Sequence, residues 1–350
     1  MANMKINWIM NLVGGEIKRE LKMGIENNYK LSILYTYMIL KEETDSEHTL
    51  TQVEIGDKIE AKYGMKLNRK TIASNILSLQ DFGCDIQKTN GGIYLLDRVF
   101  EVSEIQFLID AVFSSKSLNG KYSRELANKL SSFLSKYQKR QYNYIYKSEE
   151  VNRTDSKTLF YNIDIINEAI EKNKKIKFSY DKFFLEGEKS SKKKTYLVSP
   201  YYLINNQGRY YLVCNYDIYD DISNYKVEKI SNICIEDEER KPIQLLKTVE
   251  GKFDIVKYAN ENIYMFGDKS IYATVKILNN YVIDYIEEWF GKNAKFYKKD
   301  GNNFADIKTS EKSLLYWCLQ YSTFVELISP DTTREKLKEM IKKIYKIYFD

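Results

Sequence analysis

From Leu31 to Leu40 nearly every position is apolar, the pattern of a helix buried at the centre of a domain. A polar loop follows and holds the only histidine, His48. Thr51 and Glu54 then form a T-x-x-E capping box that opens a second helix, with Ile55 and Ile59 inside and Gly64 as its stop. Asn68 is placed to cap a third helix, in which Ile72, Ile76 and Leu79 recur at helical spacing. The opposite face of that helix carries Lys70, Thr71, Ser74 and Ser78, with Arg69 and Asn75 on its flanks. Two short β-like runs around Asn90-Gly91 complete a hairpin signal between Cys84 and Leu96. Helix, helix, turn, helix and hairpin is the order of a winged helix-turn-helix, whose third helix enters the major groove while the hairpin meets the backbone.

The same reading continues along the chain. Ser103 with Gln106 makes a second capping box before Ile105, Leu108, Ile109 and Val112. Ser123 is expected to cap a helix carrying Leu126, Leu130, Phe133, Leu134 and Tyr137. Both helices fit a coupling bundle with no chemistry of its own. The polar stretch 138–160 marks a boundary. Beyond it, Ile165, Ile166, Ala169 and Ile170 give a helix, and Ile176, Phe178 and Tyr180 alternate as a strand. Further strands are expected at 195–199, 201–204, 209–215 and 225–235, which predicts a small barrel. Residues 271–350 read strand, helix, strand, strand, helix, strand and a long terminal helix, a ferredoxin-like order.

The fold class is therefore multidomain α+β. The expected segments are an N-terminal arm (1–28), a winged helix-turn-helix (29–98), a helical linker (99–160), a small barrel (161–240), a connector (241–268) and a ferredoxin-like module (269–350). The arm carries Trp8, Ile9, Leu12 and Leu21 at roughly helical spacing, which fits packing on a partner subunit or on its own domain.

Charge sharpens this picture by where it lies. The chain of 350 residues has a net charge of only +5, yet residues 61–80 hold Lys62, Lys66, Arg69 and Lys70 and no acid. A local basic face inside a neutral domain suits a docked duplex, though a solvated helix surface carries such runs as well. The longest apolar stretch is too short to span a bilayer, and the four cysteines form no C-x-x-C pair, so reduced thiols, the cytoplasm and no membrane are expected.

A series of residues in the barrel segment resembles the WYL domain of bacterial transcriptional regulators. It comprises Tyr180, Val198-Ser199-Pro200-Tyr201-Tyr202-Leu203, Gly208-Arg209-Tyr210-Tyr211-Leu212-Val213 and Tyr225-Lys226-Val227-Glu228-Lys229-Ile230. Trp317 to Pro330, followed by a basic helix, is similar to the C-terminal extension of such regulators, so the resemblance covers roughly residues 25 to 350. It implies an SH3-like β-barrel, a homodimer and a sensor for a negatively charged ligand, nucleotide or nucleic acid. The name-giving tryptophan is Tyr210 here, and the family's arginines in the last strand fall on Ser223, Lys226 and Lys229. Lysine keeps the charge but loses the planar fork.

The residues themselves allow a basic, aromatic-lined groove of Tyr180, Ser199, Arg209, Tyr211, Lys226 and Lys229. Strict alternation sets Lys226 and Lys229 on opposite faces, so they share a site only across a bulge or a strand end.

No phosphate loop, dinucleotide fingerprint, metal-ligand spacing or triad can be built, and His48 reads as a solvated loop residue. Asp220-Asp221 and Glu236–Glu239 read as turns, and Lys192-Lys193-Lys194 as a solvated loop. The expectation is a non-enzymatic regulator with no cofactor and no metal. It binds a double-stranded, palindromic DNA operator through Asn68, Arg69, Lys70, Thr71, Ser74 and Asn75, with Lys88 and Asn90 of the hairpin at phosphates. The alternative is a non-catalytic protein of repair or defence that binds single-stranded nucleic acid through the barrel.

Overall fold

A computed structural model describes residues 29–140 except Asp97, 158–180, and 194–349 except Thr248 and Glu250. The arm residues Trp8, Ile9, Leu12 and Leu21 lie outside these, as do Lys192 and Lys193. The described chain divides into two compact units, 29–114 with 120–140 and 115–119 with the residues from 158 onward.

The first unit opens with α1 (Ser32–Glu43), α2 (Gln52–Tyr63) and α3 (Arg69–Asp81), followed by β1 (Ile86–Thr89) and β2 (Gly92–Leu95). Ile39, Leu40, Ile55, Ile59 and Ile72 form the centre of its core. The capping box closes as the sequence requires: the Thr51 amide donates to Glu54 Oε2 at 2.7 Å and the Glu54 amide to Thr51 Oγ1 at 3.3 Å. Gly64 ends α2 in the left-handed region, φ 71°. Gly92 is needed for a different reason. Its φ is 144°, and a Cβ there would lie 2.7 Å from the Leu50 carbonyl carbon, because Leu50 and Ile93 pair their backbones across this point.

Asn75 departs from its expected place on the outer flank of α3. It is buried, and its Nδ2 donates to Thr36 Oγ1 at 3.0 Å and to Ser32 Oγ at 3.2 Å. The amide thus locks α3 to α1, and its polarity is spent on two hydroxyls of the core.

Three further helices belong to this unit: α4 (Val102–Ser114), α5 (Gly120–Ser131) and α6 (Lys136–Arg140). The expected box at Ser103 and Gln106 does not start α4; the Glu101 amide donates to Glu104 Oε2 at 2.9 Å, which begins the helix earlier. Ser123 is buried inside α5 rather than capping it, since that helix begins at Gly120.

Polar side chains fasten these helices to α1–α3. Arg98 Nη1 donates to the carbonyls of Lys41 at 3.1 Å and Phe133 at 3.3 Å, and Nη2 donates to the Thr44 carbonyl. Asp45 accepts from Ser135 Oγ at 2.7 Å and faces His48 Nδ1 at 2.7 Å. The His48 ring stacks on Tyr137 with centroids 3.6 Å apart. His48 is therefore not the solvated loop residue its setting between Glu47 and Thr49 implied; the partner ring lies 89 residues away in α6, beyond any local pattern.

In the second unit α7 (Leu159–Glu171) packs on an antiparallel sheet in the order β6-β5-β4-β3-β7, comprising β3 (Lys174–Tyr180), β4 (Lys194–Asn206), β5 (Arg209–Tyr216), β6 (Ile222–Lys226) and β7 (Ile230–Glu239). The two strands expected at 195–204 are one, with a register shift between Pro200 and Tyr202. A proline has no amide to give a central strand, and the bulge absorbs that gap. The strand expected at 225–235 is instead two, broken by a 3-10 turn at Val227–Lys229. Glu236–Glu239 extend β7, where Glu238 meets Lys175 at 2.8 Å, and are not a turn.

This sheet is rolled but open, which corrects the expected barrel. β6 and β7 are its two edges, roughly 19 Å apart if the sheet were flat. The turn joining them spans roughly 13 Å at most, so the sheet must curl to bring its edges together. No ladder joins β6 to β7 among the described residues.

Residues 243–267 cover one side of this sheet through Leu246 and Met265, which pack with Tyr201, Val213 and Ile222. They include α8 (Ile255–Glu261). The chain ends with β8 (Ser270–Ile277), α9 (Val282–Phe290), β9 (Ala294–Lys299), β10 (Asn302–Ser310), α10 (Glu311–Gln320), β11 (Val325–Ser329) and α11 (Asp331–Phe349). Its sheet has the order β11-β8-β10-β9, antiparallel throughout, around a core with Trp317 at its centre. No helix among the described residues is long and apolar enough to cross a membrane. Cys214 and Cys318 are buried, Cys84 half-buried and Cys234 exposed.

Two outcomes follow for the first unit. Asn75→Ala leaves two buried hydroxyls without their amide and lowers stability in urea unfolding by about 1–3 kcal/mol, whereas exposed Ser74→Ala stays within about 0.5 kcal/mol. Burial raises the pKa of the Asp45 carboxyl, but hydrogen bonds from Ser135, His48 and the Glu47 amide outweigh it and hold it below the usual range. Its carboxylate therefore stabilises the fold above the unfolded value near about 3.9, and that stability is lost as pH falls through the lower folded value. Urea midpoints measured from about pH 5 downwards should fall less steeply for Asp45→Asn than for the natural chain.

Candidate functional site

Two surfaces carry the chemistry that the sequence pointed to, one in each unit. In the first, Lys66, Arg69, Lys70, Ser74, Lys88 and Asn90 are exposed. Asn68 is committed to the helix start, its Oδ1 accepting from the Thr71 amide at 2.9 Å and from Thr71 Oγ1 at 3.1 Å. Both residues thus position α3 rather than extend from it. Arg69 is steered from α2, its Nε donating to Gln52 Oε1 at 2.8 Å. Lys62 is turned away to pair with Glu42, so it leaves the basic run that surrounds it in sequence. Leu77, 61% exposed, lies on the face of Lys70 and Ser74 and was missed. Its signal was that it falls out of step with the inward series Ile72, Ile76 and Leu79.

In the second unit the end of β6 gathers the predicted groups around one carboxylate. Tyr211 pairs with Lys226 across β5 and β6. The strand ends there, and the 3-10 turn carries Glu228 and Lys229. A strand end thus lifts the alternation that would have parted Lys226 from Lys229. Glu228 is buried, and its Oε1 receives Arg209 Nη1 at 2.6 Å. The Lys226 amide donates to the Tyr180 hydroxyl at 3.2 Å. Burial pushes the Tyr180 hydroxyl up to about 12, the bond from Lys226 pulling the other way. Burial lowers the Lys226 ammonium below the usual lysine range, and Arg209, Lys229 and Lys116 lower it further while Glu228 opposes them.

What fixes this turn is a residue the sequence reading passed over. Asn162, on the first turn of α7, is buried and its Nδ2 donates to the carbonyls of Ile230 at 2.8 Å and Val227 at 3.2 Å. Asn162 thus ties α7 to the turn at both of its ends.

Ser199 does not join the cluster. It pairs with Asn215, while Arg209 pairs with Asn206 seven residues further along β4, roughly 20 Å away. Its buried hydroxyl accepts from the Lys241 amide at 2.9 Å, a structural bond that ties down the end of β7. The aromatic side chains are also less available than the pattern implied. Phe178, Tyr180, Tyr196 and Tyr225 pack on one another with centroids 5.1–6.5 Å apart, and Phe178 is fully buried. Lys194, the described member of the lysine triplet, lies over the Tyr196 and Tyr216 rings. They form a core, not an open stacking platform.

Comparison with known proteins adds one assignment. Residues 161–235 match the family model of the WYL domain, a span that holds Asn162, Arg209, Lys226, Glu228 and Lys229. No curated protein matches the chain. Among solved structures the chain is similar to proteasome accessory factor B/C (PafBC) of Arthrobacter aurescens. There the identity is 13%, the TM-score 0.29, and the coverage 91% of this chain and 49% of that one. It is also similar to a CRISPR Cas-related protein, with 17% identity, a TM-score of 0.37, and 91% and 83% of the two chains covered. The chain thus spans about half the length of the first of these.

The Asn162 bridge is open to test. Asn162→Ala removes one donor from each carbonyl, Val227 keeping only the Ile230 amide, and should cost about 1–3 kcal/mol in urea unfolding. Asn162→Asp, which keeps the shape but sets a carboxylate against those carbonyls, should cost at least as much. A neutral result for both would show that the turn holds itself.

Proposed function

Taking its WYL domain as the premise, we propose that this protein is a DNA-binding transcriptional regulator whose operator affinity responds to an anionic ligand in the second unit. The first five elements, α1 to β2, serve as a winged helix-turn-helix. The observation that carries this reading is the exposed face of α3, where Arg69, Lys70 and Ser74 stand clear of the core while Lys88 and Asn90 project from the hairpin. Arg69 and Lys70 suit base edges and phosphates, Ser74 either, and exposed Leu77 suits a thymine methyl. Asn75, locked into the core, is withdrawn from the readers, and Asn68 with Thr71 holds the helix start in place.

The elements β8 to β11 with α9 and α10 act as a ferredoxin-like dimerisation module. The last turn of α11 supports this, since Ile347, Tyr348 and Phe349 are each about three-quarters exposed there. A homodimer would set the spacing of two half-sites on a palindromic operator. Arg209, Lys226 and Lys229 would hold the anion, a nucleotide or a nucleic-acid strand, with a coupling to operator binding typically of about 1–3 kcal/mol. The protein is not an enzyme on this reading, needs no cofactor or metal, and works on DNA in the cytoplasm.

Selection of duplexes from a random library by the purified chain tests the reading, with an enriched palindrome as the expected result. On that site Lys70→Ala should weaken binding about 5–10-fold and reduce the slope of log affinity against log salt by about 0.9, the share of one phosphate contact. Unchanged affinity for Lys70→Ala and Arg69→Ala at physiological salt would reject α3 as the reader. A folded protein that enriches no motif, yet binds single strands in a salt-sensitive way, would replace the regulator with a single-strand binder.

A further inference from the structure

The segment Ser115–Asn119 belongs to the second unit although the helices on both sides of it, α4 and α5, belong to the first. It forms a strap along the hairpin between β4 and β5. The Lys116 amide donates to the Gly208 carbonyl at 2.8 Å, and Ser115 Oγ to the same carbonyl at 3.4 Å. Ser117, Leu118 and Asn119 are buried, while Lys116 is exposed.

Ser117 makes the contact that matters. Its hydroxyl has one proton, and that proton is directed to Glu228 Oε2 at 3.2 Å. The Ser117 Oγ in turn accepts from the Tyr210 amide at 3.0 Å. Arg209 takes the other oxygen of the same carboxylate. The strap and the cationic cluster therefore share Glu228, and the strap delivers the charge of Lys116 to the neighbourhood of Lys226.

We infer that Lys116 is a ligand-binding residue and that an anion bridging it to Lys226 and Lys229 pins the strap to the second unit. The inference rests on the reading of that cluster as the anion site and adds to it both a residue and a route of control. Like charges brought together on two segments repel; an anion between them converts the repulsion into a link. A ligand with phosphate groups and at least two negative charges suits this arrangement, since it must satisfy separate point charges rather than one planar fork. Because α4 ends at Ser114 and α5 begins at Gly120, a pinned strap is felt covalently by both helices.

The test uses the full chain in an Arg69→Ala, Lys70→Ala background, so that α3 contributes little. A nucleoside diphosphate and a 5′-phosphorylated hexathymidylate serve as probes, and the tighter of the two identifies the source of the phosphate. Lys116→Gln should weaken the bound probe about 5–10-fold, as Lys226→Gln and Lys229→Gln do. The probe should also slow amide exchange in 115–119 for the unsubstituted strap but not for Lys116→Gln. Lys116 is exposed, and an unchanged thermal midpoint will show that its variant folds. If Lys226→Gln and Lys229→Gln weaken binding while Lys116→Gln alters neither affinity nor exchange, the strap inference is overturned and the anion site stands. If neither probe binds at millimolar concentration, both are overturned.

Discussion

A carboxylate taken out of water must be paired, and the pairing of Glu228 decides how the second unit is arranged around it. Arg209 reaches it from the start of β5, Ser117 from the strap, and the turn that carries it is held by Asn162 from α7. Three segments distant in sequence thus converge on one short turn. Removing any of them exposes the cost of a buried charge or of buried carbonyls, so none is an independent decoration. The same turn forces the curl of the sheet, because it must join the two opposite edges.

The first unit is organised by a comparable device of smaller span. Arg98 collects three carbonyls from α1, the loop after it and the turn after α5, and Asp45 ties His48 and Ser135 together. Apolar packing brings these helices into contact, but it specifies position poorly, since many slightly shifted arrangements bury similar area. Directional bonds to carbonyls and hydroxyls select one of them. Asn75 does the same between α1 and α3, which fixes the angle at which Lys70 and Ser74 leave the core. A side chain expected among the readers of DNA is better understood as a positioner of the exposed residues beside it.

This contrast explains what was legible in the sequence. Local signals were readable because their physics is local: the capping box at Thr51 and Glu54, the cap at Asn68, and the hairpin after Asn90 each act within four residues. The strand end that brings Lys226 and Lys229 together was visible only as a condition, since period-two alternation states when it fails but not where. Asn162, Ser117 and Glu228 were not legible as partners, because their contacts span 65 to 111 residues and no periodicity marks them. Ser199 was misplaced for the converse reason: the Val198–Leu203 series of the WYL domain includes it, yet a strand thirteen residues long carries its two ends to different sites.

The chemistry of the cluster limits what kind of selectivity it can have. Arg209 is the one residue there with a planar fork, and one arm of that fork already meets Glu228. Lys226 and Lys229 offer compact, hydrated charges on flexible stems, which bind phosphate as points and tolerate a range of geometries. Of the two rings expected to read a base, that of Tyr180 is packed against Phe178 and Tyr225, while that of Tyr211 is half-buried. Discrimination by base identity would need an exposed ring or a fixed pair of donors and acceptors, and discrimination by charge needs neither. On the proposed reading, a sensor built this way would respond to the number and spacing of negative charges, and its specificity would have to come from where the strap holds Lys116 relative to the turn.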